Sequence, residues 1–222
     1  MPRTILISII SVLTILFTGC PGNQQRSNDK VPDTNQQTTP GSQEKAGGTA
    51  PSTTGQPAQA VPGSGPVINV DQLLQAALNG NRQVIEHAVE NGFDVESTDS
   101  EMHTLLMMAA YNGHSGIVEL LLDKGAKVDH RDIMDRTALM YASTGPFNKT
   151  VTLLLDAGAD PNLVDGDEHF TPLMFAAAEG QAEVVRTLLD HGANKTMVDV
   201  DGESAYDFAL NNGHPEVAKM LK

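Results

Sequence analysis

The sequence predicts an all-α fold: a solenoid of about five stacked helix-turn-helix units joined by β-hairpin-like fingers, preceded by a disordered tether. Three observations carry this expectation. From Val67 onward, three residue registers recur in phase at intervals of 33 or 34 positions, as stacked units require. Leucine- and alanine-rich runs fill the spaces between those markers. The 46 residues before them contain no aromatic residue and no Leu, Ile or Met, so they have little to build a core with.

The first register is Thr104, Thr137, Thr171 and Ser204, spaced 33, 34 and 33 apart. Leu73-Leu74-Gln75-Ala76-Ala77 opens the series ahead of it. The second register is Gly92, Gly125, Gly158 and Gly192. The third is Gly80, Gly113, Pro146, Gly180 and Gly213. Asp71, Thr104, Thr137 and Thr171 stand where a first helix needs an N-cap. The glycines of the second register suit left-handed C-caps after a second helix. A helix pair with one apolar side cannot bury it alone, so neighbouring pairs must stack. Polar residues at both ends, Gln72 and Gln75 at one and Lys219 and Lys222 at the other, suit capping units.

These residues resemble the ankyrin repeat. Thr171-Pro172-Leu173 copies its opening, and Gly113-His114 and Gly213-His214 copy its loop. Val118 to Leu122 and Val184 to Leu189 resemble its second helix, and Gly158-Ala159-Asp160 its end. The resemblance covers 67–222, with units at about 67–99, 100–132, 133–165, 166–199 and 200–222. It implies structural roles for His114 and His214. Met107, Met140 and Met174 replace the family's histidine. A methionine column is also a copper-ligand type, but repeat spacing favours core packing. Between Asp165 and Thr171 one residue is inserted, in a loop of the kind that maps to the binding face.

The chain begins with an address. Arg3 precedes an apolar run from Ile5 to Phe17, too short for a spanning helix of ~20 residues but suited to a secretory signal. Leu16-Phe17-Thr18-Gly19-Cys20 resembles a bacterial lipobox, with Phe17 where an aliphatic residue is usual. Residues 1–19 are therefore expected to be a lipoprotein signal peptide, and Cys20, the single cysteine, the lipidated residue. Two or three acyl chains give stable anchoring where one is marginal. Pro21 in place of Asp favours the outer membrane, facing the periplasm, over the inner membrane. Residues 20–66 then form a linker rich in Pro, Gly, Ser, Thr and Gln. As a coil it spans roughly 35–40 Å.

Composition excludes several functions. The 222 residues carry 28 acidic and 14 basic side chains, a net charge of −14, which argues against nucleic acid. One cysteine excludes an internal disulfide framework. There is no Trp, and aromatics make up 4%, which disfavours a sugar- or base-stacking platform. No catalytic motif, phosphate loop or HExxH is present, and no cofactor is implied. The acidic clusters at 165–168 and 199–203 lack the spacing of a calcium loop, so no metal is expected.

The family resemblance implies a concave partner-binding surface. Carried over residue by residue, it comprises Ser100, Glu101, His103, Tyr111 and Asn112 in the second unit. The third unit supplies Ile133, Met134, Arg136 and Thr144, and the fourth Asp167, Glu168, Phe170 and Glu179. The fifth supplies Val200, Asp201, Glu203, Asn211 and Asn212. Ile133, Met134 and Phe170 are expected as apolar anchors with an acidic rim. Residues 67–222 hold 25 acidic and 10 basic residues, so the whole net charge resides there. The expected molecule is a non-enzymatic, monomeric, envelope-tethered binder of a protein with a basic or mixed surface. The competing reading is a structural envelope lipoprotein that organises other components and regulates none.

Overall fold

A computed structural model describes residues 69–222. The signal sequence, Cys20 and the linker lie outside the described residues.

The described residues form ten helices. In order they are α1 (Val70–Leu78), α2 (Arg82–Glu90), α3 (Leu105–Tyr111), α4 (Ser115–Asp123) and α5 (Ala138–Ser143). Then follow α6 (Asn148–Asp156), α7 (Pro172–Ala178), α8 (Ala182–Asp190), α9 (Ala205–Asn211) and α10 (Pro215–Leu221). Odd-numbered helices stack on one another to form one layer, and even-numbered helices form the second. Each odd helix also packs on the even helix that follows it. This is an all-α solenoid of five helix pairs. The strand-like content among the described residues is one isolated bridge, between Val198 and Ser204.

Side-chain caps set where the first helices begin. Thr104, Thr137, Thr171 and Ser204 each accept the backbone N–H three residues on, at 3.2, 3.4, 3.2 and 3.4 Å. The first unit departs from expectation: Asn69, not Asp71, is its cap. Asn69 accepts from the Gln72 N–H at 2.8 Å, and the Gln72 side chain accepts from the Asn69 N–H at 3.3 Å. This reciprocal box satisfies two backbone donors at once, and Asp71 sits in the first turn beside the positive helix end.

The methionine column packs in the core. Met107, Met140 and Met174 are 0, 1 and 2% exposed. Met174 has a second role, since its sulfur accepts the Thr171 N–H at 3.4 Å. Between them the alanines, such as Ala109, Ala142 and Ala176, are fully covered and let the helices approach closely.

Two sets of contacts tie each unit to the next. At the interhelix loops, His114 donates from Nε2 to the Leu78 carbonyl at 2.9 Å. Phe147 lies so close over Gly113 that a Cβ there would overlap its ring. At the opposite turns, a side chain of one unit accepts a backbone N–H of the next. Glu96 receives Lys127 at 2.9 Å, Asp129 receives Asp160 at 3.3 Å, and Asn162 receives Asn194 at 2.7 Å.

Candidate functional site

Between successive helix pairs the chain makes a finger, and each finger is closed by one aspartate. Asp99 Oδ1 accepts the N–H groups of Glu101 and His103, both at 2.9 Å. Asp132 Oδ1 accepts those of Met134 and Arg136 at 2.8 and 2.9 Å. Asp199 Oδ1 accepts those of Asp201 and Glu203 at 3.0 and 2.7 Å. In the fourth unit the inserted residue lengthens the loop, and Asp165 Oδ1 reaches Phe170 instead, at 2.8 Å. Short polar side chains that bond backbone two to four residues on are strong turn formers.

The fingers are joined edge to edge. Ile133 donates its N–H to the Glu101 carbonyl at 3.1 Å, Gly166 to Met134 at 2.9 Å and Val200 to Glu168 at 3.1 Å. A row of fingertips is thus held in register by the main chain, and the side chains around those bonds are presented together.

The residue that ends each finger points to the next unit, and this divides the expected binding residues. His103 is 8% exposed, with Nδ1 2.9 Å from Asp99 Oδ2 and Nε2 3.9 Å from Asp132 Oδ2. Arg136 Nε lies 3.7 Å from Asp165 Oδ2, outside hydrogen-bond reach, and its guanidinium stands 5.8 Å from the Phe175 ring centre. Burial raises the Asp165 carboxyl above its ordinary value, while the Phe170 N–H and Arg136 oppose the shift. Phe170 is 7% exposed and meets Phe175 and Phe208 edge to face, with ring centres 5.6 and 5.0 Å apart. His103 and Phe170 are therefore corrections: both were expected to face a partner, and both are interior. Arg136 is largely interior as well. The physical reason is common to all three. The finger-ending position is covered by the following unit, which supplies a carboxylate to the cations and aromatic rings to Phe170.

The outward residues form a different set. Ile133 is 60% exposed and Val200 52%. Ser100, Asp167, Glu168 and Asp201 are exposed, and Glu101, Met134 and Glu203 are half-buried. Met102 and Asp135 are also exposed, although the sequence reading passed over them. Both occupy the left-handed region, at φ 63° and 57°, on the third residue after the finger aspartate. Gly202 holds that place in the last finger, which was the available signal.

On the helices, Tyr111 is half-buried and stands edge-on to Tyr141, ring centres 6.0 Å apart. Thr144 donates to the Tyr141 carbonyl at 2.8 Å. Asn112 and Asn212 are exposed, but their amides donate to the carbonyls of Leu78 and Phe208 at 2.7 and 3.0 Å. Asn211 donates to Glu203 Oε1 at 2.9 Å. Glu179 is half-buried, and burial raises its carboxyl above the ordinary range, opposed by His214.

Charge separates the two sides of the fingers. The arginines there, Arg131 and Arg136, lie beside Asp135 and Asp165. Glu101, Asp167, Glu168 and Asp201 have no cation partner among the described residues. The outer edge is therefore acidic with two bare aliphatic side chains. Among the described residues, no group of three or more His, Cys, Asp or Glu is placed to hold a metal ion.

A family model for ankyrin repeats matches residues 73–165 and 145–222. The chain belongs to the ankyrin-repeat family. No curated protein matches it. Ankyrin repeats are protein-interaction modules, and the fingers with the inner helix layer form the corresponding surface in this ankyrin domain.

Proposed function

We propose that this ankyrin protein is a lipid-anchored adaptor of a bacterial envelope, holding one partner protein at its fingertips. The observation that carries the binding surface is the pair Ile133 and Val200, exposed among carboxylates that lack cation partners. Aliphatic anchors that desolvate at the centre of a charged rim supply affinity, and the rim supplies steering. A partner with a basic or mixed face fits, and a nucleic acid does not. The lipobox-like stretch ending at Cys20 supports anchoring, and Pro21 supports the outer membrane, facing the periplasm. The head acts as a monomer, and its effect is to inhibit or protect an envelope enzyme by occupying it.

Fractionation tests the anchor. The full chain should partition with membranes and carry lipid on Cys20, while Cys20→Ala should be released or remain unprocessed. Equal membrane retention of both forms would sink the lipid anchor but leave the binding surface standing.

A further inference from the structure

The sequence contains four Asn-Gly pairs, at 79–80, 91–92, 112–113 and 212–213. All four asparagines are helix C-caps, ending α1, α2, α3 and α9. Their backbones are nearly alike, with ψ of −1°, 15°, 11° and 5°. Asn-Gly is chemically labile because glycine leaves its N–H unshielded by a side chain. That nitrogen attacks the asparagine amide carbon and expels ammonia, giving a five-membered imide. Water then opens the ring at either carbonyl, leaving aspartate or its β-linked isomer.

The structure separates these four sites. Asn91 donates its amide to the His87 carbonyl at 2.7 Å. Asn112 donates to the Leu78 carbonyl at 2.7 Å, and Asn212 to the Phe208 carbonyl at 3.0 Å. Each tie holds the amide away from the following nitrogen. Asn79 is exposed and makes no side-chain hydrogen bond among the described residues. The attacking nitrogen is bonded everywhere, but least closely at this site. Gly80 donates to Ala77 at 3.2 Å, against 3.0, 3.0 and 3.1 Å for Gly92, Gly113 and Gly213. Asn79 also lies in the first helix pair, which has a neighbour on one side and opens more readily than interior units.

We infer that Asn79 is a self-modification site, at which the folded chain converts asparagine to aspartate and isoaspartate by attack of the Gly80 nitrogen. The product alters a seam. It places a carboxylate at the negative end of α1, where charge is disfavoured. The β-linked form adds a methylene to the main chain beside Leu78, whose carbonyl receives both Asn112 and His114. The contact between α1 and α3 loosens as the modification accumulates.

Peptide mapping of the full chain, incubated in mildly alkaline buffer, tests this. In the folded chain, conversion at Asn79 should run roughly tenfold faster than at the three tied sites. In urea all four should convert at similar rates, since the ties are gone. Asn79→Gln should remove the main acidic product while leaving the melting curve unchanged. A folded chain in which Asn91, Asn112 or Asn212 converts as fast as Asn79 overturns the inference. So does one in which Asn79 stays intact while the urea sample converts.

Discussion

Tyr141 donates a 2.6 Å hydrogen bond to Oδ2 of Asp132, whose other oxygen closes the finger before α5. Both side chains are buried, so helix and finger are tied by a bond that water does not share. Burial holds the phenol above its ordinary range, and the Asp132 charge and hydrogen bond add to the shift. Tyr141→Phe removes the donor and leaves that carboxylate oxygen with His103 alone, at 3.9 Å. Urea unfolding should show a loss of about 1.5–3 kcal/mol, the range for a bond to a charged group. The shift also fixes an alkaline slope. A raised phenol pKa contributes stability that is full below the unfolded value and is lost as pH rises toward the folded one. The wild type should therefore weaken above the phenol range more steeply than Tyr141→Phe.

Phe170 and Ile133 should respond oppositely to the same change. Phe170→Ala opens a cavity between Phe175 and Phe208 and should cost about 3–5 kcal/mol in urea unfolding. Ile133→Asp alters an exposed tip and should shift stability by less than about 0.5 kcal/mol. Equal losses would contradict the assignment of one side chain to the core and the other to the surface.

Thr150 is 1% exposed, and its hydroxyl has no hydrogen-bond partner. Val184 and Val217 take the same place in α8 and α10. Thr150→Val keeps the shape and removes an unsatisfied polar atom. It should stabilise the domain by about 1–2 kcal/mol, seen as a higher urea midpoint at unchanged slope.

Asp129 receives the Asp160 N–H but lies beside the Asp160 charge. Its carboxyl is raised, chiefly by burial, with Asp160 adding to the shift. A raised carboxyl contributes stability that is full at low pH and lost as pH rises through the folded value. At neutral pH the ionised group is therefore a net cost. Asp129→Asn copies Asn162 in the next unit, which makes the same bond uncharged. The variant should melt higher at neutral pH and lose its advantage as the buffer is acidified through the carboxylate range. A constant advantage at all pH values would contradict the charge argument.

The repeat spacing made the helices readable before the structure. Thr104, Thr137 and Thr171 cap the helices expected of them, because a cap is a local bond three residues long. The finger interiors were not readable in the same way. Whether His103, Arg136 or Phe170 turns inward depends on Asp132, Asp165 and Phe208, about one repeat further along. No local periodicity encodes that pairing. Asn69 displaced Asp71 as a cap for a related reason, since two equally suitable polar residues preceded Leu73 and the reciprocal bond with Gln72 decided between them. The finger aspartates themselves recur in the sequence, but as acidic residues in an acidic domain they carried no distinctive signal.

The central claim is that Ile133 and Val200, framed by carboxylates, hold a protein partner. The direct measurement is capture from a native envelope extract by the detergent-purified full chain, beside an Ile133→Asp, Val200→Asp double variant of equal melting temperature. The expected result is one protein retained by the wild type, lost with the variant and bound more slowly as salt rises. Capture of the same set by both chains would contradict the fingertip surface as the place of binding.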